Sequence, residues 1–189
     1  SPRLGQISAN LLEVSAVRLY HDNVLAKQSG CGRTPWHFDD HHFPLDTNDV
    51  VTAWAPAQPT PIEMGPLSFA YPLDVHELIK DVTFEKTGTG YDREVSNIFS
   101  KNNVNVNATP FELGEVSFHH NLNFHTASSN RTNCSRIALA NTYYRDGARV
   151  INSPTMVSGD WQKFMPNVKP GDVAASPLNP ICWPVKSEI

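Results

Sequence analysis

His37, Phe38 and Asp39 stand together early in the chain, His125 lies far downstream, and Arg136 follows His125 by eleven positions. In an extended strand, residues two apart project from the same face, so His37 and Asp39 can reach one ion while Phe38 turns away into packing. With His125 added, two neutral imidazoles and one carboxylate can take one face of an octahedral ion. That is the ligand set of non-haem Fe(II) oxygenases, and it leaves positions open for a cosubstrate and oxygen. The planar fork of Arg136 suits a bidentate carboxylate clamp and keeps its charge where a lysine could lose its proton. His37, Asp39, His125 and Arg136 are therefore the candidate catalytic residues, the first three as metal ligands.

Residue type alone does not single them out. The chain has eight histidines, and His41, His42, His119 and His120 crowd the candidates. Spacing makes the selection. Roles behind the ligands or against a substrate are evenly balanced with plain solvation for His41 and His120. Trp36 and Phe38 read as core aromatics, and of Tyr143 and Tyr144, adjacent on one strand, at most one can face a pocket.

The elements that must position these residues are mostly short strands. Residues 4–12 place Leu4, Ile7, Leu11 and Leu12 on one helical face, a short helix to cover a sheet. Residues 15–20 and 23–27 are extended, and a turn-rich stretch to Pro35 delivers residues 36–39. Residues 49–55 read as a buried strand stopped by the prolines of 56–61, and 66–71 as another. Glu63 and Met64 read as a turn. The polar middle, 76–110, has helical signals at 76–80 and 93–100 with Gly88 and Gly90 between them, and reads as an insertion or lid. Strands follow at 115–119, 121–126 and 136–144, with a Ser/Asn-rich loop at 127–135 in which Asn130 and Arg131 can order the approach to Arg136. The proline-spaced tail, with Pro166, Pro170, Pro177, Pro180 and Pro184, should wrap the surface. Many short strands with sparse helix predict a mainly β sandwich or barrel in one domain spanning 1–189.

Bulk properties narrow the partners. The 189 residues carry a net charge of −4, with a pI near 6.0 and no run of Lys or Arg, so nucleic acid and anionic membrane surfaces are not expected. No apolar stretch is long enough for a membrane span, and the first residues lack a signal-peptide core, so a cytoplasmic protein is expected. Cys31, Cys134 and Cys182 are too few and too scattered for a disulfide framework or a Cys-rich zinc site. The sequons at Asn107, Asn130 and Asn133 read as chance.

The pieces Thr34-Pro-Trp-His-Phe-Asp-Asp40, Ala53-Trp54, Gly65-Pro-Leu67, Gly114-Glu-Val-Ser-Phe118, His125, Asn130-Arg131 and Arg136 resemble, in order and spacing, the phytanoyl-CoA dioxygenase family. The resemblance runs from about Leu4 to Pro184. It implies a double-stranded β-helix (jelly-roll, cupin-like) core with a few flanking helices, and oxidation of a small organic substrate with Fe(II), 2-oxoglutarate and O2, releasing succinate and CO2. By the same resemblance His37, Asp39 and His125 would hold iron and Arg136 would pair with the distal carboxylate of 2-oxoglutarate. Trp54 would line the cosubstrate pocket, with Lys27 and Asn23 on the strand beside it. Where the family often has a serine two past the distal histidine, this chain has Ala127, so a shifted hydroxyl at Thr126 or Ser128 would substitute. Halogenating relatives have a small residue at the carboxylate position, so Asp39 favours oxygenation. The usual Pro-Gly-Ser-His turn is replaced by Tyr71-Pro-Leu-Asp-Val-His76, and relatives extend further before the first helix, so an N-terminal portion is expected to be missing.

The leading expectation is thus an Fe(II)/2-oxoglutarate oxygenase of secondary metabolism, monomer or homodimer. Its small substrate would be apolar or of polyketide, terpenoid or acyl type, and free rather than a coenzyme A thioester, since no basic groove is evident. Competing readings are a jelly roll using Zn or Mn for non-oxidative chemistry, which would have no use for Arg136, and a degenerate ligand-binding relative.

Overall fold

The computed structural model describes residues 1–85, 89–152 and 159–184; Gly88, expected between two helices, lies outside them. Helix α1 (Pro2–Leu11) precedes strands β1 (Val17–Lys27), β2 (Thr34–His37), β3 (Val50–Pro56) and β4 (Leu67–Tyr71). Helices α2 (Val75–Ile79) and α3 (Gly90–Asn102) come next, then β5 (Asn105–Ala108), β6 (Ser117–His120), β7 (His125–Ala127), β8 (Arg136–Arg145) and β9 (Ile181–Trp183). The strands form a five-stranded sheet in the order β6-β3-β8-β1-β9 and a four-stranded sheet in the order β2-β7-β4-β5. Every pairing is antiparallel. Both sheets contribute to the wall of one cavity, so the fold is mainly β, two curled sheets face to face, with few helices.

The two extended segments expected at 15–20 and 23–27 are a single strand. Its pairing with β8 shifts between Leu19 and His21. An extra residue at such a bulge reverses the alternation of faces, so Val17 packs outside with α1 while His21, Asn23 and Leu25 line the cavity. On β8, Ala138 and Ala140 are buried inside with Trp54. Tyr143 packs outside under α1, and Tyr144 joins an interior cluster with Tyr20, Phe43 and Met165. Neither tyrosine lines the cavity.

Helix α1 covers the larger sheet, but with a smaller face than its leucines suggest. Gly5, Ser8 and Ala9 are its buried residues, while Leu11 is exposed. Close approach explains this: a Cβ on Gly5 would sit 2.5 Å from the Cys182 carbonyl oxygen of β9.

Residues 76–110 divide between two tasks. Helices α2 and α3 bury Val75, Ile79, Tyr91, Val95 and Phe99 against Ala70 and Phe124, with Trp36 and Phe38 packed on the same cluster. Trp36 stacks on Phe124 with ring centroids 5.5 Å apart, as expected of core aromatics. The rest of the segment continues the sheet, because β5 pairs with β4 from Ser68 to Tyr71. The expected strand at 121–126 is shorter, beginning only at His125, with Asn121 to Phe124 spent on the turn that reverses β6 into β7.

Candidate metal centre

His37 ends β2 and is paired with His125 of β7, so the smaller sheet brings the two histidines side by side, ring centroids 4.2 Å apart. Asp39 is not on the strand with His37. It lies two residues beyond, at φ −83° and ψ −14°, where a 3-10 turn over Asp40–His42 begins, and its backbone N–H donates to the Asn121 carbonyl at 2.8 Å. The bend, rather than strand alternation, aims its carboxylate at the histidines. One ligand atom each from His37, Asp39 and His125 lies within 4.8 Å of the others. Asp39 Oδ1 is 3.7 Å from His37 Nε2 and 3.9 Å from His125 Nε2.

Both imidazoles are set for ligation by their backs. His37 Nδ1 is 2.8 Å from the Pro35 carbonyl oxygen, and His125 Nδ1 is 2.9 Å from that of Asn123. A carbonyl only accepts, so each Nδ1 carries the proton and each Nε2 presents a lone pair toward Asp39. Burial keeps both rings neutral. It lowers the pKa of His37, and it pushes His125 down to about 3, with the neighbouring His37 adding to the effect. Burial opposes ionisation of Asp39, but the charge that the surrounding histidines, His125 foremost, carry once protonated in acid prevails and holds its carboxyl well below the usual range, so Asp39 is already a carboxylate where those rings are neutral. Two neutral nitrogen donors and one carboxylate are the donor set a divalent first-row metal takes.

Arg136 opens β8 and is 4% exposed. It lines the same cavity as the triad, a space of about 410 Å³. Its Nη1 donates to the Gly65 carbonyl, its guanidinium carbon sits 5.2 Å from the Trp54 ring centroid, and its Nε has no partner among the described residues. Gly65 is needed there. Its φ is +70°, and a Cβ would sit 2.2 Å from the Ser128 carbonyl oxygen. The loop ahead of Arg136 is held by Asn130, whose buried amide donates to the Lys27 and Cys134 carbonyls and accepts from Thr132. That leaves no room for a glycan on Asn130 in this fold. Arg131 contributes through its backbone N–H to Glu63, and its side chain is exposed.

The remaining expected contacts divide. Trp54 and Asn23 line the cavity. Thr126 does too, but its hydroxyl donates to the Thr34 carbonyl at 2.5 Å, which leaves only its lone pairs for a ligand. Lys27 departs from expectation. It is buried beside Arg136, its cross-strand partner, but its ammonium donates to the carbonyls of Gly32, Ala127 and Ser128 at 3.0, 3.2 and 2.7 Å. All three protons are used, so Lys27 anchors loops and has none left for a cosubstrate.

Of the two histidines left open between a role at the site and plain solvation, neither lines this cavity. His41 is exposed and packs on Phe38. His120 accepts the Leu122 N–H through Nδ1 and does not line the cavity. His119 lies inside, 5% exposed, with Nε2 3.5 Å from Asp39 Oδ2, and His42 lines the same cavity. His21 and Thr52 also line the cavity. Sequence carried a faint signal for His119, since Thr52 and Trp54 share a face and His119 pairs with Thr52, but only once the register is known.

The fold and the family are matched in known proteins. The chain aligns with the crystal structure of the non-heme alpha ketoglutarate dependent carbocyclase SnoK from nogalamycin biosynthesis at TM-score 0.73 and 23% identity, over 94% of this chain and 66% of that one. The epimerase SnoN, solved in complex with Fe3+, alpha ketoglutarate and nogalamycin RO, gives TM-score 0.73 and 20% identity over 96% of this chain and 71% of that one. The non-heme monooxygenase ThoJ in its apo form gives 0.59 and 20% over 82% and 55%. At these identities the likeness is one of fold, and the chain spans roughly half to seven tenths of these proteins' lengths. No curated protein matches in sequence. The profile of the phytanoyl-CoA dioxygenase (PhyH) family matches residues 3–138, which reach from α1 through the triad and Arg136 into β8, and the chain belongs to that family.

Proposed function

We propose that the protein is an Fe(II)- and 2-oxoglutarate-dependent oxygenase that oxidatively modifies a small organic molecule, with succinate and CO2 as co-products. The observation that carries this is the convergence of the His37, Asp39 and His125 ligand atoms on a cavity that also holds a buried arginine with an unpartnered Nε. The iron and 2-oxoglutarate used by the family fit the residues present. Two Nε2 lone pairs and a carboxylate suit the metal. An arginine with no carboxylate partner among the described residues suits an acidic cosubstrate. A zinc or manganese site for non-oxidative chemistry would leave that buried cation without a task.

Bound iron with 2-oxoglutarate would supply activation of oxygen, coupled to oxidative decarboxylation of the cosubstrate. The chain's own residues do the positioning. His37, Asp39 and His125 would hold the metal on one side, and the backbone carbonyls of Pro35 and Asn123 fix both imidazole tautomers. Arg136, braced by Gly65 and Trp54, would orient the cosubstrate. Tyr20, His21, Phe43 and Phe164 line part of the cavity wall and would present a largely aromatic surface to the substrate, in keeping with an apolar or polyketide-type molecule. The solved relatives named for nogalamycin biosynthesis point the same way. They include a carbocyclase and an epimerase, so the outcome, hydroxylation or rearrangement, is set by how this surface holds the reacting carbon.

Anaerobic protein mixed with Fe(II) and 2-oxoglutarate should develop the visible charge-transfer band of the chelate. The band should be lost in His125→Ala and require far more 2-oxoglutarate in Arg136→Ala. A folded wild-type protein without the band would overturn the proposal.

A further inference from the structure

His119 belongs to neither the ligand set nor the cosubstrate clamp, yet it is buried against both oxygens' surroundings in a specific way. The Asp39 carboxylate is divided: Oδ1 faces the Nε2 atoms of His37 and His125 at 3.7 and 3.9 Å, and Oδ2 faces His119 Nε2 at 3.5 Å. We propose that His119 is a positioning residue that donates Nε2–H to Asp39 Oδ2, so that the carboxylate offers the metal one oxygen, Oδ1. The inference rests on the triad being the metal site.

Asp39 needs such an anchor. It sits past the end of β2 in a bend, where its backbone is tied to Asn121 but no strand neighbour fixes its side-chain torsion. His119 can supply a rigid donor because its own placement is determined on several sides. Its strand is registered to β3 at Thr52, and its ring packs on Phe69 and His125, centroids 5.5 and 4.7 Å away.

The tautomer follows from the partner. An ionised carboxylate only accepts, so the nitrogen facing it, Nε2, carries a proton, and in the neutral ring that leaves Nδ1 bare. His119 Nδ1 is buried with no partner among the described residues, and an unmet acceptor in that place is consistent with the assignment. This is the opposite tautomer from His37 and His125. The opposition separates a nitrogen that holds a ligand from nitrogens that are ligands, and partners of this kind orient metal carboxylates and histidines generally.

Two measurements test it. In apoprotein labelled with ¹⁵N-histidine, two-bond proton–nitrogen correlations should report the Nε2–H form for His119, identified by the signals lost in His119→Gln, and the Nδ1–H form for His37 and His125. An Nδ1–H form for His119 overturns the proposal without any variant having to bind metal. Co(II) affinity measured against a competing chelator should then fall about 10- to 100-fold in His119→Leu. It should largely recover in His119→Gln, whose amide nitrogen can reach the same oxygen. With Asp39→Ala already present, His119→Leu should cost little more. Wild-type affinity in His119→Leu, or equal losses in the leucine and glutamine variants, would show that His119 only fills space. A wild-type protein that binds no Co(II) through His37 and His125 would overturn the metal site itself, and this inference with it.

Discussion

Lys27 and Arg136 oppose each other directly across the β1–β8 ladder, two buried cations of which neither has a carboxylate partner among the described residues. Burial, and secondarily Arg136, push the Lys27 pKa down to about 8. This lies below the ordinary 10.5, so the charged ammonium burdens the folded state below pH 8, and the burden fades between pH 8 and 10.5 as the folded protein releases a proton that the unfolded chain keeps. An acidic ligand beside Arg136 favours the charged form. Above pH 8, 2-oxoglutarate binding should therefore take up a proton, and affinity should fall by at most about tenfold per pH unit. Calorimetric titration from pH 7 to 9.5, in buffers of different ionisation enthalpy, reads both effects. Unchanged affinity with no proton uptake would refute the coupling, and Lys27→Met should abolish it.

The metal-free protein should lose stability in mild acid. His125 is held neutral down to about 3, against 6.5 for free histidine, and His37 is lowered as well. Because both folded values are depressed, protons bind the unfolded chain first. Stability present above pH 6.5 is then lost as pH falls toward 3. For His125 alone, the loss on going to pH 4.5 is about 2–3 kcal/mol. Urea midpoints of the apoprotein between pH 8 and 4.5 measure it, and His125→Leu should flatten the curve. An equally steep curve in that variant would assign the slope to other groups.

Gly65→Ala should damage cosubstrate binding from outside the cavity. Residue 65 has φ +70°, and the new Cβ would meet the Ser128 carbonyl at 2.2 Å. The left-handed conformation alone costs about 1–2 kcal/mol in a residue with a side chain, and relief of the clash must move the carbonyl that accepts from Arg136. The expected result is a lower melting temperature and a weaker 2-oxoglutarate complex, with Co(II) affinity much less affected. Equal losses for metal and cosubstrate would argue against a local effect on Arg136.

Phe164→Ala should act on the substrate alone. Phe164 lines the cavity and packs edge-on against His21 with centroids 4.9 Å apart, on an element that supplies no ligand atom. Removing the ring widens that wall, so the range of substrates that stimulate succinate release should broaden and KM for the preferred one should rise. The chelate band should be unchanged. A lost band would mean that Phe164 supports the metal centre instead.

Much of this was legible in the chain itself. The spacing of His37, Asp39, His125 and Arg136 marks them as candidates for a metal site and an acid clamp without coordinates, because few other uses require those four residue types in that order. The short alternating runs also determine a mainly β fold. Tertiary structure decided the rest, through antiparallel register. A strand's two faces differ only by parity, and a slip of one residue exchanges them. His119 and His120 are adjacent and identical in type, between Phe118 and Asn121, and because Phe118 packs on the outer face of the sheet with α1, its apolar side chain points to the wrong histidine; pairing of His119 with Thr52 settles it. The bulge between Leu19 and His21 likewise leaves no mark in composition, yet it decides which β1 side chains see the cavity. The family resemblance puts Lys27 on the strand beside the cosubstrate pocket, and only the fold brings it the three carbonyls that occupy its ammonium. Local chemistry is written residue by residue, whereas the facing and partnering of each side chain depend on contacts about a hundred positions away, which only the folded chain makes.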